Sequence, residues 1–325
     1  MPTLERTAGS DARSVRLGIR EGALIPVRRG TYVEAPLLAE DPYLRDRQLA
    51  LARVAAVAIQ SGESTVLSHE SAALVWGLPL LRLPDVVHVR KQVRRSGGAA
   101  RDVFRHVSAA PAEVRSHRGF LVTSLAQTVA DCARTLGGPG GLVVADAGLA
   151  AGADREEIAV HLARVRGARG VRTARAVLRF ADDGAESPGE SLARGALIAV
   201  GLPAPWTQVM VRTRLGVFWA DLGWPDLRLL VEYDGLGKYA SDGPAVLLAE
   251  RRRQEAIEDA GWRVVRLTSR DVSEPDGLVA RVRRAAPEGA IGPLAPVPEL
   301  LAPPSPDRRG EASRAAEVDR CRRSR

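Results

Sequence analysis

The 325-residue chain carries 47 basic and 39 acidic side chains, a formal net charge of +8, and 45% hydrophobic residues. That is length enough for two or three domains with sizeable cores; no apolar run reaches the ~18 residues of a membrane span, and with charges scattered through residues 1–20 and no apolar stretch there, no secretory signal is expected. Cys132 and Cys321 lie far apart and match no metal or redox spacing, as expected of a protein kept in a reducing cytoplasm.

Residues 10–21 suit a short helix capped by Ser10 or Asp11, with Val15 and Ile19 on one face and Gly22 as its stop. Residues 24–28 and 31–33 read as a hairpin around Arg29-Gly30, giving residues 1–36 a helix-then-wing order. Residues 41–180 form a mixed α/β stretch with helices expected over 44–59, 68–76, 125–136 and 156–178, and strands over 86–90 and 103–107. Asp182-Asp183-Gly184 reads as a linker, residues 187–286 as one α/β unit, and the proline-rich, arginine-rich stretch 287–325 as a disordered tail.

The 187–286 unit is the most informative. Ser187-Pro188-Gly189-Glu190 opens a helix, with Ser as cap, Pro at the first position and Glu190 returning a bond to the cap, and Gly201 closes it. Strands follow at 208–213, 217–222 and 227–233, then a helix over 245–259 that stops at Gly261, a strand at 262–267 and a helix at 277–284. The order is α-β-β-β-α-β-α, and the helix between the third and fourth strands supplies the crossover of a parallel pair.

Asp221 lies at the end of the second strand and Glu232 and Asp234 at the end of the third. Two acids two residues apart in a strand share a face. If the second and third strands pair as a hairpin with an irregular end, Asp221 approaches that face. Three hard oxygen donors there suit Mg²⁺ or Mn²⁺, and without a cation they repel one another. The same Glu-x-Asp pattern also suits a solvated turn entry, and Pro225-Asp226 falls where the hairpin turns, so it reads as turn chemistry. Only Lys91 and Lys238 among the basic residues are lysines. Lys238, four residues after Asp234 across Gly235 and Gly237, can bring a compact ammonium to a phosphate or an attacking water. Glu190 has two readings, cap partner or support for the metal. Arg251 and Arg253, with Arg252, lie on a helix face with Glu255, Glu258 and Asp259.

Residues 220–222, 229–235, 238–239, 250–254 and 261–267 (Ala-Asp-Leu, Leu-Leu-Val-Glu-Tyr-Asp-Gly, Lys-Tyr, Glu-Arg-Arg-Arg-Gln and Gly-Trp-Arg-Val-Val-Arg-Leu) together resemble the very-short-patch-repair-like endonuclease domain of the PD-(D/E)XK, restriction-endonuclease-like superfamily. The resemblance covers about 100 residues and implies an αβββαβ core, with Asp221 and Glu232 as metal ligands, Asp234 as a third acid and Lys238 in a place often held by histidine. The superfamily's lysine usually follows the second acid by two residues, where this chain has Asp234. Residues 1 to about 180 resemble AbiEi-type antitoxins and transcriptional regulators, through the 24–33 wing, Leu67-Ser68-His69-Glu70-Ser71-Ala72-Ala73, Trp76-Gly77-Leu78-Pro79, the 119–124 stretch and Thr128-Val129-Ala130-Asp131. That resemblance implies a winged helix-turn-helix, here partial, and leaves room for a cognate toxin or self-association. His69 reads as a packing or capping residue, and His88, His106, His117 and His161 have no metal spacing.

The positive charge lies outside the carboxylate-bearing unit. Residues 82–118, which include Arg90, Lys91, Arg94 and Arg95, carry a local balance of +6, whereas 181–286 is at −2. Such a division suits phosphate contacts in the middle region and a cation site in the last. The sequence therefore leads to a cytoplasmic DNA-binding protein with a Mg²⁺-dependent endonuclease-like domain. Its alternatives are a non-enzymatic antitoxin-type regulator with a degenerate nuclease fold, or a protein whose basic region meets another acidic partner.

Overall fold

A computed structural model of the chain describes residues 4–6, 12–62, 64–92, 100–108, 111–235, 244–301 and 303. The protein is mixed α/β, with three sheets and eleven α-helices among the described residues. Its contacts divide the chain into two units, Met1–Cys132 and Ala133–Arg325.

The first unit begins with β1 (Leu4–Arg6), α1 (Ala12–Arg20), β2 (Leu24–Arg28) and β3 (Thr31–Glu34). Gly30, at φ +72°, supplies the left-handed residue of the two-residue turn that brings Arg28 opposite Thr31. The antiparallel sheet has the order β1-β3-β2, so the hairpin expected from sequence gains a third strand too short to show an alternation. Next comes α2 (Pro42–Ser61), started by Pro42 and by Asp41, whose carboxylate accepts the Leu44 N–H at 2.8 Å. Ala52 of α2 packs on Val33, Leu38 and the hairpin's Ile25 and Val27.

The remainder of this unit runs β4 (Val66–Leu67), α3 (His69–Trp76), β5 (Val87–Lys91), β6 (Val103–Val107), β7 (Val114–His117), β8 (Phe120–Thr123) and α4 (Leu125–Thr135). Its sheet has the order β6-β5-β4-β8-β7, with β5–β6 and β4–β8 parallel and β4–β5 and β7–β8 antiparallel. Strands β4, β7 and β8, of two to four residues, were not expected from the sequence.

The second unit comprises α5 (Gly137–Ala150), α6 (Arg155–Arg164), α7 (Val171–Phe180), α8 (Pro188–Ala199), β9 (Trp206–Thr213), β10 (Gly216–Trp224), β11 (Leu229–Asp234), α9 (Pro244–Asp259), β12 (Arg263–Thr268), α10 (Ser269–Ser273) and α11 (Leu278–Ala285). The sequence assigned residues up to 180 to the middle domain, but α5 is joined to α8. Arg194 of α8 donates to both carboxylate oxygens of Asp146 in α5 at 2.7 Å, and the Asp182 N–H donates to Asp146 at 2.8 Å. The single helix expected over 156–178 is two helices, interrupted where Gly167 and Gly170 take positive φ.

The expected tail is corrected in part. Residues 287–301 are packed: the N–H groups of Ala295 and Val297 donate to the carbonyls of Gly201 and Ala199, and Leu300, in a 3₁₀ turn over Pro298–Leu301, is buried. The stretch 304–325 lies outside the described residues.

Strands β9–β12 form a sheet ordered β12-β11-β10-β9, antiparallel except for the β11–β12 pair that α9 connects. The α-β-β-β-α-β succession is the one expected from the sequence. On one side Leu222, Trp224, Leu229, Val231, Val265 and Leu267 pack against α8 and α11. On the other, Val209, Val211, Ala220 and Leu230 pack against Ile257 of α9. No helix among the described residues is long and apolar enough to cross a membrane.

Candidate functional site

Strand β10 changes faces at Asp221. Ala220 belongs to the core under α9 and Leu222 to the core under α8, although residues two apart in a regular strand share a side. The pairing with β9 runs from Ala220↔Val209 to Leu222↔Thr207 and omits the position between, where Gln208 has φ +47°. This irregularity is the one that allows Asp221 to approach β11. There its Oδ2 accepts the Tyr233 backbone N–H at 2.8 Å.

Glu232 is only 8% exposed, at the end of the central strand β11. Burial, the largest influence, raises its carboxyl above the usual range against the opposing pull of Arg253 and Arg266; Glu250 and Asp221 add to the rise. Arg253 of α9 donates to Glu232 Oε1 at 3.0 Å and lies 3.4 Å from Glu250, with its guanidinium over the Phe218 ring. Arg266 of β12, in register with Glu232, donates to Glu250 at 2.7 Å and stands 3.7 Å from Glu232 and 3.8 Å from Asp234.

Glu190 enters from α8. Ser187 caps the helix by accepting the Glu190 N–H, and Glu190 accepts from the Ser187 hydroxyl at 2.7 Å and from the Glu186 N–H at 2.8 Å. The return bond thus goes to the residue before the cap. Burial raises Glu190 too, and the charges of Asp221 and Glu186 contribute in the same direction. Gly189 lets the two elements meet: a Cβ there would stand 2.1 Å from the Tyr233 ring.

Asp221 is therefore brought within electrostatic reach of both Glu190 and Glu232, while Asp234 faces Arg266. Among the described residues, no group of three His, Cys, Asp or Glu side chains is arranged to hold a metal ion. Lys238, Arg94 and Arg95 lie outside the described residues. Arg251 is exposed and paired with Glu255 at 3.2 Å; Arg90, on β5 of the first unit, lies 3.8 Å from Asp131 with little exposed surface, and Lys91 is half-buried at the end of the same strand. Sequence reasoning missed Glu250 and Arg266. Their only signal was the Glu-Arg-Arg-Arg run and the Arg of Trp-Arg-Val-Val-Arg, and the register that aligns Arg266 with Glu232 comes from the fold.

No protein-family model matches the chain. Two Mycobacterium tuberculosis proteins, the uncharacterized protein Rv2248 of strain H37Rv and the uncharacterized protein MT2308 of strain CDC 1551, are each 34% identical to it over 269 residues. The alignment covers 82% of this chain and 93% of each relative. The chain belongs to the Rv2248 family. The aligned length exceeds that of either unit alone, so the relationship to Rv2248 extends over parts of both. The crystal structure of the RV2827C protein from Mycobacterium tuberculosis is similar at a TM-score of 0.31 and 19% identity, over 62% of this chain and 77% of that one.

Proposed function

We propose that the second unit is a restriction-endonuclease-like module that hydrolyses nucleic-acid phosphodiester bonds with a divalent cation, Mg²⁺ or Mn²⁺, held by Asp221 and Glu232. The observation that carries this reading is the convergence of Glu190, Asp221 and Glu232 from three different elements at one sheet end, with Asp221 in electrostatic reach of both glutamates and the two glutamates raised above the ordinary carboxylate range, mainly by burial. Such perturbed acids cluster at functional sites. The donor set fits a hard cation: Mg²⁺ is commonly bound through one or two carboxylates, keeping waters and taking substrate phosphate oxygens, so a third protein ligand is not required. When bound, the cation supplies charge neutralisation at the phosphoryl oxygens and a more acidic water.

The chain's own residues have separate tasks. Asp221, fixed by the Tyr233 N–H, and Glu232, fixed by Arg253, orient the site. Arg253 and Arg266 are placed to offset phosphate charge once substrate competes for them. Lys238 is assigned to the attacking water or the phosphate, and the arginines of 82–118 to DNA backbone contacts with strong salt dependence.

A second reading, a non-enzymatic regulator of antitoxin type, has one specific support: the guanidinium of Arg253 already occupies Glu232 Oε1, as in a site whose charges have been neutralised internally. Incubation with plasmid and oligonucleotide substrates in Mg²⁺, Mn²⁺ or EDTA separates the two. Cation-dependent cutting lost in Asp221→Ala supports the nuclease, and salt-sensitive DNA binding without cutting supports the regulator.

A further inference from the structure

Helices α6 and α7 leave an open cleft of about 460 Å³ between them, within the ~300–1,000 Å³ range of small-molecule sites. Its apolar lining comes from Ala159, Leu162 and Ala163 of α6 and Leu178 of α7, and Arg155, Arg175 and Arg179 complete it. Helical spacing explains this division. Ile158, Ala174 and Val177 are turned into the core, and the cleft-lining positions share the neighbouring side of each helix, where alanine keeps the space open.

The arginines differ in what they already hold. Arg155 is committed to the fold: it donates to the carbonyls of Leu178 and, at 2.6 Å, of Ala181, at the end of α7 where the helix leaves such groups free. Arg172, one turn before Arg175, is paired with Glu299 at 3.3 Å. Arg175 and Arg179 are exposed, and among the described residues neither has a carboxylate partner; Arg179 lies over the Phe180 ring at 5.0 Å. Like charges four residues apart on a helix repel, a small cost that an anion bound between them relieves. Among the described residues, no acidic side chain lines the cleft.

These groups restrict what can bind. A guanidinium donates and cannot accept, and alanine and leucine side chains do neither, so the polar end of a ligand must be an acceptor and its body free of donors. Sugars, nucleosides and amines would bring N–H or O–H groups that meet no side-chain acceptor. A phosphodiester backbone would satisfy the guanidiniums but leave the leucine and alanine surface uncovered. We propose that the cleft binds a small organic anion with an apolar body, a free acyl carboxylate, with its chain along Leu162, Ala163 and Leu178 and its carboxylate between Arg175 and Arg179. The site shares no residue with the carboxylate cluster of β10 and β11, and the proposal does not rest on the nuclease reading.

The test uses the full chain and three probes: octanoate, octanol, which has the chain without the charge, and acetate, which has the charge without the chain. Calorimetric titration should show saturable binding of octanoate at one site, with octanol and acetate at least about tenfold weaker, the usual loss when a charge-assisted hydrogen bond or the buried chain is removed. Arg175→Gln together with Arg179→Gln should weaken octanoate about tenfold and leave octanol unchanged. Ala163→Phe, at an exposed helix position, should fill the cleft and abolish octanoate binding without lowering Tm. The probe comparison on the wild-type chain stands whichever variants fold. Octanoate bound no more tightly than octanol, or no more tightly than acetate, overturns the proposal. So does a folded Ala163→Phe chain that keeps its octanoate affinity, or a pair of arginines whose loss weakens binding of an oligonucleotide or of anionic vesicles while octanoate does not bind.

Discussion

The backbone N–H of Tyr233 donates to Asp221 Oδ2 at 2.8 Å, so the carboxylate at the kink of β10 is also a structural strut for β11. The two roles can be separated by substitution. Asp221→Ala removes the acceptor and should cost about 1–2 kcal/mol of stability, the usual consequence of stranding a partly buried N–H. Asp221→Asn keeps a carbonyl oxygen in reach and should stay within ~0.5 kcal/mol of wild type while losing cation binding. Urea titrations beside Mg²⁺ calorimetry check both. An Asn variant as destabilised as the Ala variant would mean that the charge itself supports the fold.

Glu190 and Glu232 are both raised from 4.5, with burial as the main cause. The folded state then binds their protons more tightly than the unfolded chain. Their stabilising contribution is fully present below about pH 4.5 and is lost as the pH rises through the folded values. Cation binding at the proposed site would have the opposite dependence, because the ion must displace those protons. The increase in Tm produced by Mg²⁺ should therefore grow with pH above 4.5, and Glu232→Gln should remove that growth. Thermal scans across pH 4–8 with and without Mg²⁺ read this directly.

The Arg194–Asp146 pair is buried on both sides, with one guanidinium nitrogen of Arg194 donating to both carboxylate oxygens. Burial dominates at Asp146, whose carboxyl stays above its ordinary value in spite of Arg194. Arg194→Met should cost about 3–5 kcal/mol by leaving the acid without its partner, and the double change with Asp146→Leu should recover much of that loss. Denaturant unfolding of the single and double variants gives the comparison. A double variant no better than Arg194→Met would contradict it.

A Cβ at Gly138 would stand 2.3 Å from the carbonyl of Leu300, so the segment after α11 lies directly on α5. Leu300→Ala should cost about 2–5 kcal/mol, as for other fully buried leucines. Gly138→Ala should displace the segment and open it to proteases. Limited proteolysis followed by mass spectrometry would show new cleavage near residues 295–301, and unchanged resistance would mean that the segment does not need this contact.

The parts of the fold that the sequence disclosed are those with their own local signals. The 24–34 hairpin has its Arg-Gly turn, α8 its Ser-Pro-Gly-Glu start, and the second unit its three strands, helix and strand bounded by glycines. Helix α5 had none. Gly137, Gly138, Gly140 and Gly141 oppose helix formation at about 1 kcal/mol each, yet Gly138 is where Leu300 passes and Gly141 where a Cβ would stand 3.0 Å from Ala133. Close packing overrides propensity there, and distant residues supply it. The same reason hid the packed 287–301 segment, whose prolines read as disorder while its contacts are with Gly201, Ala199 and α5. In the candidate site, strand spacing singled out Glu232 and Asp234, and Asp221 joined them only on the condition of an irregular hairpin end. The face change at Asp221 and the alignment of Arg266 with Glu232 depend on pairing between strands and were not legible.

The central claim is that Asp221 and Glu232 form a cation-dependent phosphodiesterase site. Its most direct test is cleavage of a labelled oligonucleotide by the purified full chain in Mg²⁺ or Mn²⁺, compared with Asp221→Asn under identical conditions. The account predicts cutting that EDTA abolishes and that Asp221→Asn lowers by at least about 100-fold, equivalent to ~2.7 kcal/mol of transition-state stabilisation. Cutting by Asp221→Asn at the wild-type rate would contradict it.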